Sequence, residues 1–147
     1  MPNICLTFGT KAAKTQILHA LTTLDGLAGW WTKETSGNTT LGGTIHFTFG
    51  SNGGFDMQVV KSDAASVHWL CTQGPEKWLG TLIEFTILTE PSHNQLMFRH
   101  LGWSEEVAFF YHCSTKWATF LLSLRDYVEQ GLGKHFPDDV KIEASGM

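Results

Sequence analysis

Seven histidines and three cysteines are the side chains of this 147-residue chain best suited to hold a metal, carry a proton or attack a carbonyl. A metal site needs ligands that converge, as two histidines one helical turn apart or two cysteines in a CxxC do. The histidines stand at 19, 46, 68, 93, 100, 112 and 135, with no pair at such a spacing, and Cys5, Cys71 and Cys113 lie far apart. No metal and no cofactor is therefore expected. No GxSxG marks a nucleophile elbow. The pairs Gly42-Gly43 and Gly53-Gly54 lack the pattern and the following helix of a phosphate loop. A formal charge of −4 and the absence of any Lys/Arg run speak against nucleic acid or an anionic membrane as partner.

His100 is the exception. In 96–100 (LMFRH) it shares the phase of Leu96 and Phe98 and so points inward. An inward imidazole could orient a ligand carbonyl or hydroxyl, or move a proton near neutral pH. The plainer reading is a core histidine satisfied by hydrogen bonds to the closing helix. Ser114 interrupts an apolar helix stripe and reaches the same space, or simply allows close helix–sheet packing. His46 is out of phase and is expected outside.

The larger signal is aromatic. Strand phase turns Phe47, Phe49, Met57, Trp69, Phe85 and Phe98 to one face, and helix phase turns Trp117 and Leu121 toward them. Such a set fits an apolar ligand pocket with a few placed polar groups. It equally fits a packed core. The adjacent Trp30 and Trp31 would differ by about 100° on a helix. One is expected to bury at the junction of helices and sheet, and Trp31 is expected to roof the pocket entrance.

The elements that must position these residues follow from periodicity. Residues 4–9 (ICLTFG) read as a strand. A helix capped by Thr10 follows, with Ala13, Ile17, Leu21 and Leu24 on one side, and Asp25-Gly26 is expected to break it before a short further turn at LAGWW. Five alternating segments come next: 44–49, 55–61, 67–71, 78–88 and 96–100. They make an antiparallel sheet with one buried face. The last element is a helix at about 105–130 with Phe110, Ser114, Trp117, Leu121, Leu124 and Val128 on one stripe. Thr115, Thr119, Ser123 and Asp126 lie away from that stripe, and Gly131 ends the helix.

The length gives one domain over 1–134, and 135–147 reads as a polar tail that frays. Widely spaced cysteines in apolar stretches read as buried, reduced thiols in a cytoplasmic protein. No basic-plus-apolar leader and no run of about 18 apolar residues occurs.

"LDGLAGWWT" before "LGGTIHFTFG", then "VHWLCTQGPEKWLGTLIEFTI", "LMFRHLGW" and "KWATFLLSLRDYVEQG", in this order over residues 4 to 132, resemble the AHSA1-like group of the START/SRPBCC superfamily. The resemblance implies an α+β helix-grip fold: a curved antiparallel sheet wrapped around a long C-terminal helix, with two short helices after the first strand. It also implies binding of an apolar or aromatic small molecule, lipids included, between sheet and helix. The expected ligand-contacting set is Trp31, Phe47, Phe49, Met57, Trp69, Phe85, Phe98, His100, Ser114, Trp117 and Leu121. Catalysis is not claimed. The rival readings are a cyclase- or lyase-type enzyme using His100 as acid or base, and a partner of the heat-shock-protein-90 chaperone acting in the stress response. The first strand departs from the family pattern in carrying Cys5 and Thr7 where relatives have charge. Oligomeric state is not legible.

Overall fold

The computed structural model describes residues 1–143. The alternating segments form one antiparallel sheet of seven strands: β1 (Ile4–Thr10), β2 (Glu34–Gly37), β3 (Thr44–Thr48), β4 (Gly54–Ser62), β5 (Ser66–Gln73), β6 (Leu82–Thr89) and β7 (Asn94–Leu101). Their order is β1-β7-β6-β5-β4-β3-β2, so the first strand closes against the last and the rest is a meander. Helices α1 (Lys14–Thr22) and α2 (Leu24–Trp30) follow β1, and α3 (Ala108–Gln130) crosses the inner face of the curved sheet. This is the α+β helix-grip arrangement.

The phase of the strands holds. Ile45, Phe47, Met57, Val59, Val67, Trp69, Ile83, Phe85, Leu96, Phe98 and His100 are all 1% exposed or less, so one face is continuously buried. Register shifts in β4–β5 next to Asp56/Met57 and Val59/Lys61 absorb extra residues without turning this inner set over. On α3, Phe110, Trp117, Leu121, Leu124 and Val128 are buried against it. Gly131 takes φ +78° at the helix end, a left-handed conformation that favours glycine.

Several local expectations are corrected. Strand β2 has the sequence ETSG, without an apolar residue for alternation to show, and exists because its backbone pairs with β3 from Glu34↔Thr48 to Gly37↔Ile45. The segment beginning at residue 78 does not enter the sheet until Leu82. Residues Glu76–Trp78 form a 3-10 turn, and Gly80 reverses the chain at φ +79°. Thr10 does not cap α1: its hydroxyl donates to Glu129 Oε2 at 2.6 Å and accepts from the Ala12 amide at 3.1 Å. Ala13 occupies the cap position, where its amide donates to Gln16 Oε1 at 2.8 Å. The helix breaks at Thr23 rather than Asp25-Gly26, because the Thr23 hydroxyl accepts from Gly26 N at 3.0 Å and starts α2 there.

Ser123, expected outside, is buried. Its hydroxyl donates to Trp30 O at 2.8 Å and accepts from Lys134 N at 2.7 Å, tying α3 to α2 and to the chain beyond the helix. That chain does not fray over its described part. Phe136 N donates to Trp31 O at 2.8 Å, Lys33 N donates to Phe136 O at 3.2 Å, and Asp139 is buried. Residues 144–147 of the polar tail lie outside the described residues. Cys71 and Cys113 are buried free thiols, whereas Cys5 is a free thiol on the exposed side of β1, out of phase with Ile4 and Phe8.

Candidate ligand-binding site

His100 sits at the centre of a closed hydrogen-bond chain. The Trp117 indole N–H donates to His100 Nδ1 at 3.1 Å. That leaves the other ring nitrogen, Nε2, to carry the proton of a neutral imidazole. Nε2–H therefore donates to Thr81 Oγ1 at 2.8 Å, and the Thr81 hydroxyl donates to Trp78 O at 2.6 Å. Burial lowers the His100 pKa to about 3, so the ring is neutral at any physiological pH. Both nitrogens are engaged, and the indoles of Trp78 and Trp103 pack edge-on against the ring at 4.6 and 5.2 Å. The geometry joins β7 to α3 and leaves neither ring nitrogen free to face a substrate.

Around His100 the inward aromatics interlock. Centroid separations are 5.1 Å for Trp69–Phe85, 5.3 Å for Phe85–Phe98, 4.5 Å for Phe98–Trp117 and 5.5 Å for Phe47–Trp69, within the range of favourable ring packing. Trp30 closes one flank, its indole N–H donating to Ala20 O at 2.9 Å, which fastens α2 to α1.

A cavity of about 240 Å³ opens beside this cluster and shares the rings of Trp78 and Trp117 with it. Its walls are the rings of Trp31, Phe49, Phe55, Trp78, Trp117, Phe120 and Phe136, with the Cys113 thiol among them. Lys116, Asp139, Lys141 and the exposed Asn52 complete its lining on the polar side. Trp31 is 2% exposed and stacks parallel to both Phe55 and Trp69 at 5.9 Å, so it is an inner wall rather than the roof. The WW pair thus divides its work: Trp30 locks the two short helices together, and Trp31 separates the packed aromatics from the void.

Of the residues expected to contact ligand, the structure puts Trp31, Phe49 and Trp117 on the cavity wall. Phe47, Met57, Trp69, Phe85, Phe98, His100 and Leu121 are buried in the packed region, and Ser114 is half-buried on α3; none of these lines the cavity. Three groups of lining residues went unread. Phe55 shares the inward phase of Met57 and was legible. Cys113, Lys116 and Phe120 stand at −4, −1 and +3 from Trp117, a helix face the chosen stripe only grazed. Trp78 sits in a turn, and Phe136, Asp139 and Lys141 come from an irregular segment, where periodicity carries no signal.

The electrostatics of the lining are uneven. Burial pushes the Cys113 thiol up to about 12, opposed only weakly by the neighbouring Trp78 indole N–H, so it stays protonated and unreactive. Asp139 loses solvation, which alone would raise its pKa, but hydrogen bonds from Lys116 and Lys141 outweigh this and hold it below the usual carboxylate range. Lys116 Nζ reaches Asp139 Oδ2 at 2.5 Å and Lys141 Nζ reaches Oδ1 at 2.6 Å. Among the described residues no group of three His, Cys, Asp or Glu side chains gathers as a metal site would. No helix among them is long and apolar enough to cross a membrane.

A curved antiparallel sheet, gripping a long helix and leaving an aromatic cavity at one end, defines a helix-grip protein. No protein-family model and no curated protein sequence matches the chain. Among solved structures, the Aha1 dimer from Colwellia psychrerythraea is similar at 44% identity and a TM-score of 0.83, over 90% of this chain and all of that one. The AHSA1-like protein of Aeromonas hydrophila shares the fold at 12% identity and a TM-score of 0.69, over 88% of this chain and 94% of that one. SSP2350 from Staphylococcus saprophyticus does so at 13% and 0.74, over 90% and 95%. The chain belongs to the AHSA1-like family of the SRPBCC superfamily.

Proposed function

We propose that the protein binds an apolar or aromatic small molecule in the cavity walled by Trp31, Phe55, Trp78 and Trp117. The observation that carries this reading is the cavity itself: about 240 Å³ between α3 and the sheet, walled by rings and open on its polar side. A dry apolar cavity of about 150 Å³ already accepts a benzene. Ring walls and a polar rim are the usual composition of a small-molecule site. Binding rather than turnover is favoured because the thiol on the wall stays protonated and His100, bonded to the lining residue Trp117, is neutral with both nitrogens engaged. The test is a screen of small aromatic compounds followed by chemical-shift perturbation. Shifts concentrated at the indole signals of Trp31, Trp78 and Trp117 support the reading. A diverse library that moves none of them refutes it.

A second reading concerns self-association. The Colwellia relative is a dimer in its solved structure, which supports pairing of this chain with a second copy. Light scattering on the purified protein should then give twice the 16.4 kDa chain mass. A single-chain mass across the accessible concentration range would exclude it.

A further inference from the structure

Deepening the cavity reading, and resting on it, we propose that the occupant is an amphipathic organic anion. One or two aromatic or apolar rings lie between Trp31, Phe55, Trp78 and Trp117, and a carboxylate meets Lys116 and Lys141.

The lysine donors are countable. An ammonium has three N–H groups and no acceptor. Lys116 Nζ uses one on Asp139 Oδ2 and one on Val140 O at 2.8 Å. Lys141 Nζ uses one on Asp139 Oδ1 and one on Pro137 O at 3.0 Å. Each retains one donor. Two ammonium groups against one carboxylate leave a single positive charge at the rim, and Asp139 is the only carboxylate among the lining residues. The exposed Asn52 adds an amide on the same side. A chain of net charge −4 therefore presents a local surplus of opposite sign where a ligand would enter.

The lysines are also held in place. Lys116 lies over the Phe120 ring at 4.9 Å and Lys141 over Phe136 at 5.0 Å. Donors fixed before the ligand arrives lose less side-chain freedom on binding. Deeper in the cavity there is no charge to pair, since the Cys113 thiol is protonated and the remaining walls are rings. A carboxylate on an apolar ring satisfies both ends at once. A neutral ring leaves the two N–H groups to water, and a cationic one is repelled.

Three probes with one ring system separate the possibilities: 2-naphthoate, 2-naphthamide and 2-naphthylmethylammonium, titrated into the whole protein and followed at the indole signals. The expected order is naphthoate tightest, by at least about tenfold over the amide, with the ammonium weakest. Added salt should narrow the gap. In Lys141→Gln, whose side chain is largely exposed, the naphthoate-to-naphthamide preference should fall at least about threefold. Equal affinities, or a preference for the amide or the ammonium, with Trp31, Trp78 and Trp117 still shifting, would overturn the anion inference and leave the cavity reading standing. If no probe moves those indoles, the cavity reading falls and takes this one with it.

Discussion

The two ends of the helix–sheet interface are built from the same kind of residue and come out differently. At the β5–β7 end, Trp69, Phe85, Phe98 and His100 meet α3 with ring on ring. At the β3–β4 end, Phe49, Phe55, Trp31 and Phe120 surround empty space. What differs is the closing element. The filled end lies between strands and helix, and where loops reach it, at Trp78, Thr81 and Trp103, they bond or pack onto His100, so each inward side chain meets another. The open end is completed by a turn carrying Trp78 and by the irregular stretch around Phe136, whose backbone must bond to Trp31 and Lys33 and cannot also follow the sheet inward. An aromatic stripe is thus neutral between core and pocket, and the decision rests with whatever covers its end.

The contrast can be broken first by truncation. Phe85→Ala, in the filled end, should cost about 3–5 kcal/mol in denaturant unfolding, because its neighbours cannot collapse onto the gap. A cost below about 1 kcal/mol would mean that this end is loose as well.

Acid should find the filled end next. Unfolded, His100 titrates near its ordinary value; folded, burial keeps it neutral down to about 3. Between these values the unfolded chain binds a proton that the folded chain refuses. Stability is full above about pH 6.5 and falls by ~1.4 kcal/mol per pH unit below it. His68 and His112, also lowered by burial, add in the same direction. Replacing His100 by Asn should remove one proton's share of that slope between pH 6.5 and 5. An unchanged slope would place the sensitivity elsewhere.

Adding volume sharpens the comparison. Ile83→Phe in the filled end should cost about 1–3 kcal/mol through overpacking. Cys113→Leu grows into the cavity instead. It should change stability by less than about 1 kcal/mol while weakening aromatic ligands at least about tenfold. Equal penalties at the two sites would deny that the ends differ.

The smallest effect is kinetic. A thiol reagent should modify Cys5 at once in the native protein, and Cys71 and Cys113, pushed up to about 11 and about 12 by burial, only on unfolding. Mass spectrometry over time reads this directly, and prompt modification of Cys113 would show the cavity open to reagents.

The sequence made the architecture legible because its signals are periodic. Strand phase identified Phe47, Trp69, Phe85, Phe98 and His100 as one buried face, and helix phase brought Trp117 to it. Period two says that a side chain points inward, but not whether anything stands opposite. That is why Phe85 and Phe49, alike in pattern, end in a packed cluster and on a cavity wall. Strand β2 and the Trp78 turn were hidden because backbone pairing and a glycine reversal leave no hydropathy trace. Ser123 misled because one hydroxyl serving Trp30 and Lys134 looks, in a helical wheel, like a solvated face.

The amides of Phe136, Lys33 and Lys134 carry one further consequence. These three hydrogen bonds fasten the segment that walls the cavity to the rest of the chain. The segment can therefore open as a unit of its own, at a free energy below that of global unfolding. Amide hydrogen exchange at these positions then measures this local opening rather than global unfolding. A ligand that binds only the closed form should slow that exchange by the factor 1 + [L]/Kd, which is RT ln(1 + [L]/Kd) in opening free energy. The amides in the centre of β6, already limited by rarer openings, should respond only where the whole molecule unfolds.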